Sequence, residues 1–469
     1  MRIRKLSLLS LLLFLAVALS LPTLSMADAQ PALPAVWTVQ QAVRFALANS
    51  PDSRITRQRI DAARAMVRQS KAAFYPRLGI SSQYSQTNNP MYSFGNILNL
   101  GAFNQSIDFN NPGRTDDLNL AAHLEYRLFN GGRDLAGLGA AKASVTASSS
   151  DAQALLGQLG FEVVQSFFVI VQAGETVQAR QSQVEAISGS LAVARARFEA
   201  GALLRTDLLN LEVQEADARE NLIAAQHGLE LAKRGFLNLL GLEGGQVVLD
   251  PQPDMVLPVP LDTSCDRRPE LQSLDAVIQA AEARVRQAEA DRYPTADAFA
   301  SYQVDKGYDP LEGSGNSWLA GVKVNYTLFE GNRSGAVIAE AKIRLIEARE
   351  QRRKLTLAIG LEAEQARLAL RQAEERLQVT GKMVELAREN ARLNRERFKE
   401  GVVLSADLVD VENRLTDARV RQVAAKVGHR IAVADLRRAV GLAQFEESAE
   451  QGALAPASVA NNQNKGGGE

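Results

Sequence analysis

The chain has 469 residues, 46% of them hydrophobic and 23% charged, with a formal net charge of −1. That length accommodates several domains, and the near-neutral balance leaves no basic footprint for nucleic acid. Cys265 is the only cysteine, His123, His227 and His429 are scattered, and neither Gly-x-Ser-x-Gly nor His-Glu-x-x-His occurs, so no catalytic residues, metal site or cofactor are expected.

The N-terminus carries Arg2, Arg4 and Lys5, an apolar run from about Leu8 to Leu19, and Ser25-Met26-Ala27 as a small-x-small cleavage site. This is the pattern of a secretory signal over 1–27; the run is short for an uncleaved anchor. Its removal takes away three positive charges and leaves −4. No later stretch approaches the roughly 18 apolar residues of a membrane helix, and Cys265 is far from the cleavage site, so neither a helical anchor nor an acylated cysteine is expected.

After an extended leader, Trp37 to about Leu47 reads as a short amphipathic helix opening after Thr38. Pro51 restarts a helix that runs to about Phe74, where Tyr75-Pro76 ends it. Alternation follows over about 76–88 (Leu78, Ile80, Ser82 and Tyr84 on one face) and, more sharply, over about 117–129 (Leu118, Leu120, Ala122, Leu124, Tyr126 and Leu128). The same pattern returns at about 294–306 and 317–329, with Phe299 and Leu319 as exceptions. The wet faces carry charges, and Tyr75, Phe129, Tyr293, Trp318, Tyr326 and Phe329 flank the strands. Two surface hairpins on a soluble core would need neither; about ten alternating residues between aromatic girdles mark a transmembrane barrel strand. The segment 86–116, rich in asparagine and glycine with apolar Ile97, Leu98, Leu100 and Phe103, reads as a loop that folds back over a pore mouth.

Proline-free stretches at about 133–199 and 333–399 read as continuous helices, each about 100 Å long. Leu370, Leu377 and Val384 recur every seven residues, as do Val379, Leu386 and Leu393, while Phe161, Val164, Phe168 and Val171 follow three-four spacing. Helices over about 206–240 and 405–440 return antiparallel. The tips between them read RFEAGALLRTDLLNLE (197–212) and RFKEGVVLSADLVDVE (397–412), with Gly201 and Gly401 stopping one helix and Thr206 or Ser405 capping the next.

These tips expose a tandem repeat. Leu128-Phe129, Gly131 and Arg133 recur as Leu328-Phe329, Gly331 and Arg333 at the same offset of 200; upstream, Tyr75-Pro76 matches Tyr293-Pro294 at an offset of 218. The 18 extra residues therefore lie between Tyr84 and Leu128. The chain divides into a first repeat (28–250), a linker and second repeat (251–445) and a disordered tail (446–469), each repeat running short helix, helix, strand, strand, very long helix, long helix. Four strands cannot close a barrel, and open strand edges are not tolerated in lipid, so other copies must complete it. Two copies would give eight strands and three would give twelve; the physics alone leaves that choice open.

The hairpin tips, the Tyr-Pro and Leu-Phe-x-Gly-x-Arg junctions and the repeat order, over about 37–445, resemble the TolC family of outer-membrane efflux proteins. The resemblance implies a mainly α chain with membrane β: a homotrimer with a 12-stranded barrel in outer-membrane lipid above a periplasmic α-helical tunnel. It also implies docking to an inner-membrane pump of the RND, ABC or MFS type through a periplasmic adaptor, with Phe198, Gly201, Thr206, Phe398, Gly401 and Ser405 at the entrance tips. In the family, two aspartates three apart after the second tip narrow the pore; the matching residues are Asp407 and Asp410, with Asp207 alone in the first copy, where Asn210 takes the second position. Helix-dipole stabilisation by a first-turn acid is the competing role for Asp407. A family tyrosine and arginine that hold the entrance shut are here Phe398 and Val403, so closure must use other residues, Arg205 or Arg397 among them. The competing class is a soluble periplasmic coiled-coil adaptor or spacer, which would account for the hairpins but not for the strands.

Overall fold

A computed structural model describes residues 34–250, 257–262 and 264–445. The signal segment, the tail, and Pro251 and Pro253 of the linker lie outside the described residues. Helix α1 (Val39–Asn49) opens on a capping box: Thr38 Oγ1 accepts from the Gln41 amide, and the Gln41 side chain accepts from the Thr38 amide, both at 3.2 Å. Helix α2 (Pro51–Lys71) has Ser50 as its cap and proline in its first turn, and a 3-10 turn over Ala72–Phe74 leads into β1 (Arg77–Thr87). Then come α3 (Pro90–Asn99), β2 (Thr115–Phe129), α4 (Arg133–Glu199) and α5 (Arg205–Leu240). The second repeat runs α6 (Pro269–Glu289), β3 (Thr295–Gly307), β4 (Gly313–Asn325), α7 (Arg333–Glu400) and α8 (Ser405–Ala439).

Several sequence expectations are corrected. The segment 86–116 is not all loop: Asn89 caps α3, Pro90 sits in its first turn, and Ile97 and Leu100 are buried. Strand β4 starts four residues before the expected 317 and stops at Asn325. That residue pairs with Thr295, the first residue after Pro294, and residues 326–329 have no ladder partner among the described residues. The second repeat has no counterpart of α1 among the described residues; Pro258 and Pro260 keep that stretch irregular. Finally, an 18-residue window of α4 reaches a mean hydropathy of 1.7, enough by composition for a membrane helix. The apolar residues Val163, Val164, Phe167 and Phe168 of α4 are instead consumed by the main core.

That core gathers α1, the middles of α4 and α7, and the ends of α5 and α8. Trp37 stands edge-on to Phe45 (5.3 Å between centroids) and Phe236 (5.9 Å), and its backbone bonds Val248 and Asp250, tying the chain's start to the end of the first repeat. Burying each such ring is worth about 2–3 kcal/mol. Elsewhere the helices are covered on one side only. α4 packs on α5, α6 and α8, and α7 on α6 and α8, whereas α5 and α7 form the two edges. Of the two heptad series, Leu370 and Val384 are buried, while Val379, Leu386 and Leu393 stay exposed.

Arg268 joins the two ends of the second repeat. Its guanidinium is 7% exposed, pairs with Glu270 and Glu362, and donates to the Arg438 (3.2 Å) and Ala439 (3.0 Å) carbonyls at the C-terminus of α8. Arg268→Ala leaves Glu270 and those carbonyls without their cation, while Glu362 keeps Arg438 at 2.5 Å, at a cost on the order of 3 kcal/mol. Thermal unfolding in detergent should show a lowered midpoint. Arg268→Lys should recover little, because one ammonium cannot replace the fork.

Candidate functional site: an amphipathic sheet and two helical tips

The four strands form one antiparallel sheet in the order β1-β2-β3-β4. Pairing places Leu78 opposite Leu124, Ile80 opposite Ala122, Leu120 opposite Val304, Tyr302 opposite Trp318, and Ala298 opposite Val322. Directly opposed residues share a face, so these side chains make one apolar surface across all four strands. It is bare: Leu78 is 73% exposed, Ile80 77% and Trp318 76%. Tyr75, Tyr293, Phe129 and Phe329 ring the helix-side end, and Tyr84, Tyr302 and Trp318 the far end. Tyr75 to Tyr84, like Tyr293 to Tyr302, is nine residues, about 30 Å along a strand and close to the ~25 Å apolar band of a barrel once the strand tilts.

The opposite face is polar and internally paired. Arg127 bonds Asp297 at 2.6 Å, Asn119 bonds Asp305 at 2.7 Å, and Ser81 meets His123 at 3.1 Å. Phe299, an exception to the alternation, lies on this face and covers Gly321, where an added Cβ would meet the ring at 2.9 Å. Nothing in the structure explains Leu319.

Helix α3 sits on the polar face at the far end. Gly307, Gly313 and Gly315 share that face with Asp305, and Cβ atoms there would meet Leu100 Cδ1 at 2.6 Å, Leu100 O at 2.7 Å and Asn99 O at 1.8 Å. Only glycine admits the end of α3 so close. Ser93 Oγ donates to Gly113 O, Asn96 to Thr115 Oγ1, and Phe94, Phe103 and Phe109 pack together behind the helix. Asp116 accepts from the Tyr308 and Asp309 amides, both at 2.9 Å, and from Tyr84 Oη, fixing the β3–β4 turn beside it.

At the other end of the molecule, the α4–α5 and α7–α8 tips lie together. Gly401 ends α7 in the left-handed region (φ 84°), as Gly201 (φ 73°) does just after α4. Thr206 and Ser405 do not cap. The cap positions are Leu204 and Leu404, with no side-chain bond, and Ser405, as the first helical residue, donates instead to Asp207 Oδ1 at 2.7 Å. Within the chain, Arg197 joins the two tips. It donates to Phe398 O at 2.7 Å and to Ala202 O at 3.4 Å, with its guanidinium 5.8 Å from the Phe398 ring centroid. Phe398 itself is buried with Leu191, Ala194, Leu211 and Leu408. Phe398 and Ser405 are therefore anchors and present no docking surface; Phe198, Thr206, Leu204, Val402 and Leu404 are the exposed tip residues. Sequence reasoning passed over the leucines, although Leu204 and Leu404 stand at the repeat offset.

Asp407 and Asp410 are both exposed near the start of α8, and Asp410 pairs with Arg414 at 2.8 Å. Such an exposed i,i+4 pair is worth about 0.5 kcal/mol or less. One turn further in, Arg395 forks onto Glu412, whose side chain is 3% exposed; Arg195 and Glu212 repeat the pair at 3.1 Å in the first tip.

A sheet oily on one side and wet on the other, carried on a long helical bundle with exposed edges, defines a membrane conduit. The outer membrane efflux protein family matches residues 42–242 and 261–442, and the chain belongs to it. It is an outer-membrane efflux channel, not an enzyme, and the soluble adaptor alternative is not supported. Protein CyaE of Bordetella pertussis is 25% identical over 82% of this chain and 79% of its own length. The probable efflux pump outer membrane protein TtgC of Pseudomonas putida is 22% identical over 88% and 84%. The fold is similar to the CmeC outer membrane channel of Campylobacter jejuni (TM-score 0.74, 15% identity, 91% of this chain and 96% of that one). It is also similar to the open-state MtrE channel of Neisseria gonorrhoeae (TM-score 0.71, 17% identity, 90% and 97%).

Two changes test these arrangements. Arg197→Ala removes charge-assisted bonds worth about 1.5 kcal/mol or more, so amide hydrogen exchange over 196–206 and 397–405 should quicken at least about tenfold, with the main core unaffected. Gly315→Val should drive α3 off the polar face, which limited proteolysis would report as new cleavage between residues 90 and 112 without loss of the helical bundle.

Proposed function

We propose that three copies close into a ring, giving a barrel of twelve strands above one continuous helical tunnel, through which cargo delivered by an inner-membrane pump and its periplasmic adaptor leaves the cell. The observation that carries this is the sheet itself: its apolar face is bare, and the outer edges of β1 and β4 have no partner among the described residues. In lipid both must be covered, and because the strand number is even, β4 of one copy meets β1 of the next antiparallel. The exposed edges of α5 and α7 close the tunnel in the same sense. A head-to-tail interface of this kind forms a ring when its rotation closes.

The polar face then lines the lumen, which puts the α3 of each copy inside the outer mouth as a narrowing. At the inner end, Asp407 and Asp410 stand three apart on α8, so the ring repeats both carboxylates around the axis and favours cations. Arg414 offsets part of the Asp410 charge, and Asp207 is held by Ser405. The tips, with Leu204, Val402 and Leu404 bare at their ends, form the adaptor-docking surface. In this reading flow through the duct is passive and the pump sets its direction.

Planar-bilayer conductance of the purified mature protein tests this reading. Small cation-selective openings are expected, losing selectivity in Asp407→Ala/Asp410→Ala. Selectivity indifferent to both residues would return them to helix-terminus stabilisation. Absence of any conductance from protein that stays soluble without detergent would remove the channel.

A further inference from the structure

Helix α3 turns its negative end toward an acidic surface. A helix C-terminus carries partial negative charge and carbonyls left without donors. Ladder pairing sets Asp305 between Asn119 and Gly315 on the polar face, and Gly307 opposite Gly313 one step along it; Asp117 lies two residues from Asn119 on the same face. α3 ends above this patch. The Asn99 carbonyl oxygen is 1.8 Å from where a Cβ on Gly315 would stand, and the Leu100 carbonyl oxygen 2.7 Å from that of Gly313. Neither carbonyl accepts a hydrogen bond among the described residues.

The two acids beneath are out of the solvent, Asp117 at 7% exposure and Asp305 at 2%. The Asp117 carboxyl lies within hydrogen-bonding reach of the Asp305 carboxyl and the Lys306 amide, but its buried Oδ1 has no partner. Asp305 takes only neutral donors, Asn119 Nδ2 at 2.7 Å and Gln303 Nε2 at 3.3 Å. The neighbouring cations are engaged elsewhere: Arg114 pairs with Asp309 at 2.6 Å, and the Lys306 ammonium sits 5.1 Å from the Tyr308 ring centroid. The third acid, Asp116, is satisfied by two amides and Tyr84. Two adjoining buried carboxylates under the negative end of a helix repel strongly at low dielectric. A positive charge among them removes that repulsion at one point.

We infer that Asp117 and Asp305, with the Asn99 and Leu100 carbonyls, bind a calcium ion that fastens the end of α3 to the sheet. Among the described residues no three carboxylate, imidazole or thiol side chains converge to hold a metal. The donors here are two carboxylates and peptide carbonyls, all of them hard oxygens. That set suits Ca²⁺, which takes six to eight oxygens in loose geometry, over Mg²⁺, which demands a near-ideal octahedron. It does not suit transition metals, which select nitrogen or sulfur. Asp117 lies one residue beyond the level of Tyr84, which pairs with Leu118, so the site opens toward water at the far end of the sheet. In the ring proposed above the ion sets how far α3 narrows the outer mouth; the site itself does not depend on that ring.

The test uses the full mature chain in detergent, stripped with EDTA and then given Ca²⁺ alone. Calorimetry should show saturable binding that Asp117→Asn/Asp305→Asn abolishes and that Asp407→Asn/Asp410→Asn, at the other end of the molecule, retains. Extracellular calcium modules have dissociation constants of roughly 0.1–1 mM. At about 5 mM Ca²⁺, chymotryptic cleavage between residues 90 and 112 should therefore slow about six- to fiftyfold. That protection should be absent from Asp117→Asn/Asp305→Asn, whose helical circular dichroism should match the parent's because asparagine keeps the size of aspartate. Binding or protection that persists in this variant would overturn the site. An α3 whose protease resistance follows pH and ignores Ca²⁺ would overturn it too, since two carboxyls sharing a proton behave that way.

Discussion

An antiparallel sheet whose two outer strands each leave one edge open among the described residues, with one face apolar and bare, is the constraint on which the rest of this structure depends. In water, such edges and such a face would recruit other chains without order. In a bilayer, every unpaired amide and carbonyl along an edge costs several kcal/mol, so a closed barrel is the arrangement that satisfies them all. Strand length, the placement of Tyr75, Tyr84, Tyr293 and Tyr302, and the pairing of polar groups on the inner face all fit that one requirement.

The helices answer to the same demand at a distance. α4 and α7 are too long and too narrow in their apolar stripes to bury themselves within one chain, so the bundle is half-covered, with its compact core confined to the belt where α1, α4, α5, α7 and α8 meet. That belt gives the chain a folded identity of its own, while α5 and α7 keep bare apolar residues along their open sides. A second, smaller core around Phe398 ties the two tips together, apart from the belt.

The two repeats are alike in plan and unlike in detail, and function follows the differences. Only the first carries the inserted α3, which the glycines of the second repeat's hairpin are shaped to receive. Only the second buries its tip phenylalanine. One repeat thus supplies arginine where the other supplies its acceptor, and a chain built of two near-copies acquires distinct contacts within itself and with its neighbours.

Much of this was legible in the sequence, because it rests on periodicity and local chemistry. Alternation fixed the strands and their faces; the absence of proline fixed the long helices; Gly201 and Gly401 marked the tips; and the repeat offset located the insertion. Thr38 and Pro51 marked helix starts that the structure contains, where Gln41 and Ser50 complete the caps. Asn89-Pro90 carried the same signal for α3 and was outweighed by the asparagine and glycine around it. What tertiary structure alone decided is which of several equivalent groups finds a partner. Arg197 joins the tips within the chain, Ser405 is spent on Asp207 rather than on its own helix, and Phe398 is buried while Phe198 is not. Local sequence sets what a residue can bond; which neighbour arrives within 3 Å depends on how helices far apart in the chain are packed, and no local pattern encodes that.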